Sequence, residues 1–344
     1  MAEVVQYSSR EMLEAFKLAP RPTTFLQDMF VKKRNFTNKT TLEIDIDKGG
    51  QTIAPYVSRV GSDPTVVGKG GYDTLLHAAP YLYDEIIYTP SDADQRVPGE
   101  TIYESDPMGN IDTRVGDWLN KLRDRCIRRE EQQLAEAMQT GKAVISGKDV
   151  DYTIDYQMDA NHIITLAGAD IWGSGTEKKI DQFEAWSALI QDKGEPAPDV
   201  CIMDLNAGQL LRKDTDFLAL LNNRRVEMGE INPRQIKEKR ATYMGALQAA
   251  GVDIDFYVYQ GIYKNDAGAS VGFMNADQLI LGSTMARTEF HYAKIENFNA
   301  PSFMGRQFPM QGIEPKGKRG FVSLESGPMA GFHNPDAFVT VNVK

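Results

Sequence analysis

Hydrophobic positions keep a helical period most clearly between Asp112 and Gly141, and the rest of the chain can be placed around that stretch. Val115, Trp118, Leu119, Leu122, Cys126, Ile127, Leu134, Ala137 and Met138 recur at about 3.6 residues and predict one long amphipathic helix. The cap candidates Asn110, Asp112 and Thr113 precede it and Gly141 follows, the start and stop chemistry of a helix. At ~1.5 Å per residue the rod is roughly 42 Å long. A heptad begun at Val115 and Trp118 keeps Leu122 but then meets Arg125 and Arg129, so a coiled-coil seam fails. Arg128, Arg129, Glu130 and Glu131 form a charged band midway. The pattern fits a spine with one packed face per half and a polar joint between, and equally a surface helix with a solvated middle.

Ahead of this spine, Ser9–Phe16 predicts a brief helix, and Pro20, Pro22, Phe25 and Leu26 lead into a polar link. The segment is too short to fold alone and reads as an arm lying on something else. Thr41–Ile46 alternates as a strand does. From Lys48 to Pro90 the glycines Gly49, Gly50, Gly61, Gly68, Gly70 and Gly71 punctuate a run rich in Thr, Val and Tyr with no helical period. That predicts two ribbons, Thr52–Arg59 and Tyr72–His77, joined by a glycine-rich tip. Loops of this length inside a globular chain are usually functional. Beyond the spine, Tyr152–Ile154 and His162–Leu166 read as extended, with a turn at Gly173–Gly175. An α/β section follows. Helices are expected over Gln182–Asp192, Ala207–Asn222 and Pro233–Ala250, the last with proline at its start. Strands are expected at Asp199–Asp204, Val252–Tyr259, Gln278–Gly282, Thr288–Ile295, Gly320–Leu324 and Ala337–Val343.

Composition narrows the class. With 344 residues, 42% hydrophobic and 25% charged, this is an ordinary globular chain of two or more compact units. No run approaches the ~18 apolar residues of a membrane span, and the first residues lack a signal-peptide core. A net charge of −10 argues against tight nucleic-acid binding by the chain as a whole. Cys126 and Cys201 both sit in apolar patterns and read as buried thiols.

Candidate chemistry is sparse. His77, His162, His291 and His333 lie far apart, none with a second ligand at metal-site spacing, and each reads as a structural or surface residue. Gly61–Lys69 fails as a phosphate loop, because six residues separate its glycines and Gly70 stands where Ser or Thr is needed. Asp45 and Asp47 begin no calcium loop, since the twelfth position is Tyr56. Ser323–Gly327 lacks the leading glycine of a nucleophile elbow. No catalytic constellation, metal or cofactor is expected. An arm, a protruding ribbon and a spine are reaching elements whose apolar residues need neighbours, which points to an assembly subunit.

Four segments carry a family resemblance. They are EEQQLAEAM (130–138) followed by Thr140-Gly141-Lys142, VCIMDLNAGQLLRKD (200–214), the Tyr-x-Gly-x-Tyr turn through Ala286-Arg287 (258–287), and ESGPMAGFHNPDAFVTVNV (325–343). The order of elements resembles the major capsid proteins of tailed phages, of Hong Kong 97-type fold, and among them the lambda-type family. The resemblance implies an α+β chain with an N-arm at 1–45 and an extended β-loop at 46–92. A peripheral domain at 93–195 and 333–344 would surround the spine, with an axial α/β domain at 196–332. It implies a non-enzymatic subunit that self-assembles, in the host cytoplasm, into pentamers and hexamers of an icosahedral virion shell around double-stranded DNA. The implied partners are further copies of the chain, a separate scaffolding protein, a portal, a decoration protein and DNA in weak, non-specific contact, with no membrane. Lys69, Gly70, Gly71 and Tyr72 at the loop tip, and Arg128, Arg129, Glu130 and Glu131 on the spine, are the expected inter-subunit contacts. In some relatives a loop-tip lysine is cross-linked to an asparagine of the next subunit. Lys69 stands in such a place, but its glycine neighbours promise no desolvated pocket to neutralise it, so clamping is expected from the decoration protein instead. The alternative reading is another phage structural protein, of the tail tube or a minor head protein.

Overall fold

The stripe read from the sequence lies on the longest helix among the described residues, Pro107–Thr140, with 34 residues. The fold comes from a computed structural model that describes residues 7–9, 11–13, 24–47, 72–93, 107–148, 150–215, 217, 221–222, 234–236, 240–249, 252–265, 267–300 and 303–344. The spine stops at Gly141, whose φ of 68° is the left-handed geometry that favours glycine, and whose N–H donates to Ala137 O at 2.9 Å. A Cβ there would also collide with Met158.

The two halves of the spine enter different cores. Val115, Leu119, Leu122 and Cys126 pack with Tyr88, Val322, Leu324 and Met12. Trp118 is half-buried beside them and stacks on Tyr88 at 5.3 Å between ring centroids. Leu134, Ala135, Ala137 and Met138 instead join Phe25, Leu26, Phe290, Phe332 and Phe338. This is the divided spine of the first reading.

Among the described residues the largest sheet has eight strands. Its order is Arg234–Ile236, Ala241–Ala249, Val252–Tyr259, Val200–Met203, Gln278–Gly282, Phe338–Asn342 and Ile163–Thr165, with Leu221–Asn222 paired to Ala241–Ala249 off this path. Val200–Met203 is buried at all four positions, as a continuous apolar strand should be when both faces are covered. Helices Lys179–Asp192 and Leu205–Arg212 supply Phe183, Trp186, Ala207 and Leu211 to a core shared with Phe256, Leu279 and Val339 of the sheet. Strand Phe338–Asn342 lies between Gln278–Gly282 and Ile163–Thr165, so it shares a sheet with strands of the 196–332 stretch.

Two sequence expectations fail here. The segment Pro233–Ala250 is not a helix: Arg234–Ile236 and Ala241–Ala249 are strands, the second pairing antiparallel with Val252–Tyr259 from Ala241↔Tyr259 to Ala249↔Val252. Its Ala, Leu, Met and Gln residues favour helices locally, but a long-range partner strand decides the outcome. Gly245, at φ 142°, sits where the register slips by one residue. The expected helix Ala207–Asn222 is also too long. It spans Leu205–Arg212, capped by Asp204 accepting from Asn206 N at 3.2 Å, and Leu221–Asn222 is a strand.

Of the five smaller sheets among the described residues, three position the arm and the outer strands. Val31–Phe36 runs parallel to Thr288–Tyr292, which pairs antiparallel with Pro328–Phe332. Phe308–Ile313, Gly320–Ser326 and Leu82–Tyr88 form the second. Thr41–Asp47 and Tyr72–Ala78, both expected to be extended, form a two-stranded ribbon with each other, a pairing the sequence reading did not make. The other expected ribbon, Thr52–Arg59, lies outside the described residues.

Candidate assembly surface

The charged band of the spine divides between the inside and the outside of the subunit. Arg128 is exposed and lies 3.8 Å from Asp124. Arg129 is exposed and donates to Gln132 Oε1 at 3.2 Å. Glu130 and Glu131 are fully buried, so the solvated middle is not what forms. Glu130 takes the Arg306 guanidinium on both oxygens, with Nε donating at 3.1 Å and an Nη on the other oxygen. Arg306 also donates to Gln27 Oε1 at 3.2 Å, tying the arm helix Phe25–Phe30 to the pair.

Glu131 holds that arm helix by its start. Its Oε1 accepts from Leu26 N at 2.7 Å and Tyr259 Oη–H at 3.2 Å, and its Oε2 accepts from Gln27 N at 3.2 Å. The first N–H groups of a helix have no partner within it, so the carboxylate satisfies them as a cap would. Burial nevertheless pushes its pKa up to about 7, against the lowering effect of those three donors. Both carboxylates therefore serve contacts inside the subunit, and Arg128 and Arg129 are the part of the band presented outward.

Exposed apolar side chains are spread over the surface, Leu76, Met285, Phe298 and Met304 among them, and strand Leu82–Tyr88 carries two of them on one open edge. Among the described residues it is an edge of its sheet, with no neighbour on one side of its backbone. Tyr83 and Ile87 face out at 54% and 58% exposure, with exposed Tyr81 just ahead of the strand, while Leu82, Ile86 and Tyr88 pack inward. Arg125 Nε donates to Asp84 Oδ2 at 2.6 Å and ties this strand to the spine. Sequence reading ran past this strand, because in YLYDEIIY apolar residues fall on both faces and the alternation appears only in the burial. An edge strand with aromatic and aliphatic residues on its open face is a ready template for another chain.

Of the loop-tip residues, Tyr72 opens the strand Tyr72–Ala78 opposite Asp47, and Lys69, Gly70 and Gly71 lie outside the described residues.

Sequence spacing also hid a cluster on the sheet that carries the arm. Glu289 and His291 alternate on strand Thr288–Tyr292, and His333 follows strand Pro328–Phe332. The two Nε2 atoms of His291 and His333 are 3.3 Å apart, and Glu289 Oε2 is 4.0 Å from His333 Nε2. Burial first, and then His333, brings the His291 pKa down to about 4, and burial lowers His333 as well.

With this geometry in place, comparison with known proteins is direct. Residues 8–343 match the family described as phage major capsid protein E. The P21 prophage-derived major head protein of Escherichia coli O6:H1 strain CFT073 is 25% identical over 342 residues, covering 93% of this chain and 94% of that one. The major capsid protein of Enterobacteria phage phi80 is 24% identical over 358 residues, covering 98% and 99%. The crystal structure assigned to a capsid protein of an E. coli CFT073 prophage superposes with a TM-score of 0.74 at 17% identity, covering 99% of this chain and 100% of that one. The bacteriophage PhiM1 mature capsid superposes at 0.51 with 14% identity, covering 94% and 88%. The fold is the α+β Hong Kong 97-like capsid fold expected from the sequence. Matched along nearly its whole length, the chain belongs to the phage major capsid protein E family.

Proposed function

We propose that this chain is the repeating subunit of a phage head, closing into pentamers and hexamers and then into an icosahedral shell around double-stranded DNA. The observation that carries the reading within the subunit is the open edge strand Leu82–Tyr88, with Tyr83 and Ile87 facing outward. Head-to-tail contacts between one such edge and a different surface of the next copy generate closed rings. Many modest contacts in a closed lattice add up to a stable whole. The exposed Arg128 and Arg129 fit the rim of such a contact, where charges set register more than affinity. A chain of net charge −10 suits a wall that holds DNA only weakly.

In this reading residues 1–45 are the N-arm and 46–92 the extended loop. Residues 93–195 with 333–344 form the peripheral domain and 196–332 the axial domain. Scaffolding, portal and decoration proteins are the partners, assembly takes place in the host cytoplasm, and no enzymatic step is assigned. No helix among the described residues is long and apolar enough to cross a membrane.

The test is assembly of the double variant Tyr83→Ser, Ile87→Asp, produced with its scaffolding protein and viewed by negative-stain microscopy. The expected result is a subunit with the circular dichroism of the parent that forms no closed shells. Shells indistinguishable from the parent's would remove the edge strand from the interface.

A further inference from the structure

We propose that Glu289, His291 and His333 form a three-ligand zinc site with a fourth position open, fastening the 31–47 segment to the strands beneath it. The ligand atoms of the three residues all lie within 4.8 Å of one another. Zinc binds imidazole nitrogen at about 2.0–2.1 Å in tetrahedral geometry, which separates two ligand atoms by about 3.3–3.4 Å. The two Nε2 atoms stand 3.3 Å apart, so the rings already hold that spacing. Glu289 Oε2, at 4.0 Å from His333 Nε2, needs to close by about half an ångström.

The surroundings orient the ligands as metal sites require. His333 Nδ1 is 2.7 Å from Asp45 O, and a carbonyl can only accept, so Nδ1 carries the proton and Nε2 is left with its lone pair. A ligating histidine commonly gives its other ring N–H to a carbonyl in this way. Glu289 is held through Oε1 by Arg287 Nε at 3.1 Å and through Oε2 by the Asn35 amide. Among the described residues Arg287 bonds to the cluster and Lys33 also acts on His291; the Arg287 side chain is 61% exposed, so water screens its charge from an incoming ion. Gly331 stands opposite Glu289 in the strand pair, and a Cβ there would run into the His291 ring. Glycine is what lets that ring lie across the strand towards His333. Two neutral imidazoles and one carboxylate are a donor set suited to zinc and unsuited to magnesium, which takes oxygen.

The site would join four segments. Glu289 and His291 come from Thr288–Tyr292 and His333 follows Pro328–Phe332, while the groups that orient them, Asn35 and Asp45, come from Val31–Phe36 and Thr41–Asp47. Zinc would thus stabilise the arm-side strands on the body of the subunit by mass action.

The experiment is calorimetric titration of the purified, chelator-stripped protein with zinc chloride, with magnesium chloride as the control. One saturable zinc site per chain and a zinc-dependent rise in melting temperature are expected. His291→Gln and His333→Gln should each weaken binding at least tenfold, Glu289→Gln should abolish the thermal shift, and His77→Gln should change neither. Cobalt(II) added to the unaltered protein should give the intense visible absorption of a four-coordinate site, which reads the ligand set without any substitution. No saturable zinc binding by the unaltered protein, or affinity unchanged in all three variants, would leave only an imidazole–imidazole hydrogen bond and overturn the proposal.

Discussion

Glu131 gives the sharpest test of how the arm is held. A carboxyl with an ordinary pKa of 4.5 in the unfolded chain and about 7 in the folded one binds more protons when folded throughout that window. Stability then falls as pH rises from about 4.5 to about 7, by up to about 1.36 kcal/mol per pH unit, or roughly 3 kcal/mol in all. Glu131→Gln removes the titration and keeps the shape. Its Oε1 can still accept from Leu26 N and Tyr259 Oη, but its amide nitrogen meets the Gln27 N–H, a donor facing a donor. That mismatch costs about 1 kcal/mol or somewhat more. The variant should therefore be less stable than the parent at pH 5 and more stable at pH 8, with the two curves crossing between. Urea unfolding of the unassembled subunit across this range measures it. If the parent instead gains stability relative to Glu131→Gln as pH rises, the three donors outweigh burial, and the folded pKa lies below 4.5 rather than above it.

Two further outcomes follow from the same spine. Arg306→Ala strips the buried Glu130 of its bidentate partner and should cost about 3–5 kcal/mol at neutral pH in urea unfolding; a loss below about 1 kcal/mol would mean water reaches the carboxylate. Trp118→Ala, at a half-buried ring stacked on Tyr88, should cost about 2 kcal/mol, less than a fully enclosed tryptophan; no measurable change would place the indole in solvent.

What could be read from the sequence was what repeats locally. The spine was legible because Val115 through Met138 keep one period over many turns, and so was the ribbon strand Thr41–Asp47, with Leu42, Ile44 and Ile46 turned inward. Ala241–Ala249 was not, because its composition favours a helix and its strand state depends on Val252–Tyr259. The pairing of His291 with His333 depends on the antiparallel register between two strands, which spacing along the chain does not display. Glu130 and Glu131 misled for a related reason. Adjacent charges on a helix usually face water, and their buried partners, Arg306 and the start of the arm helix, are remote in sequence.

The position of Phe338–Asn342 in the eight-stranded sheet has a kinetic consequence. Among the described residues Ile163–Thr165 has that strand as its one neighbour in the sheet, and this pairing cannot form until residue 342 has been synthesised. Until then Gln278–Gly282 also offers an open edge beside its partner Val200–Met203. Pairings between such distant segments are slow to close and leave unsatisfied strands exposed while they wait. A nascent subunit therefore cannot finish its largest sheet early. Chaperone demand should fall on the interval before this strand inserts, and incomplete chains should be excluded from growing shells because they cannot yet present a finished surface.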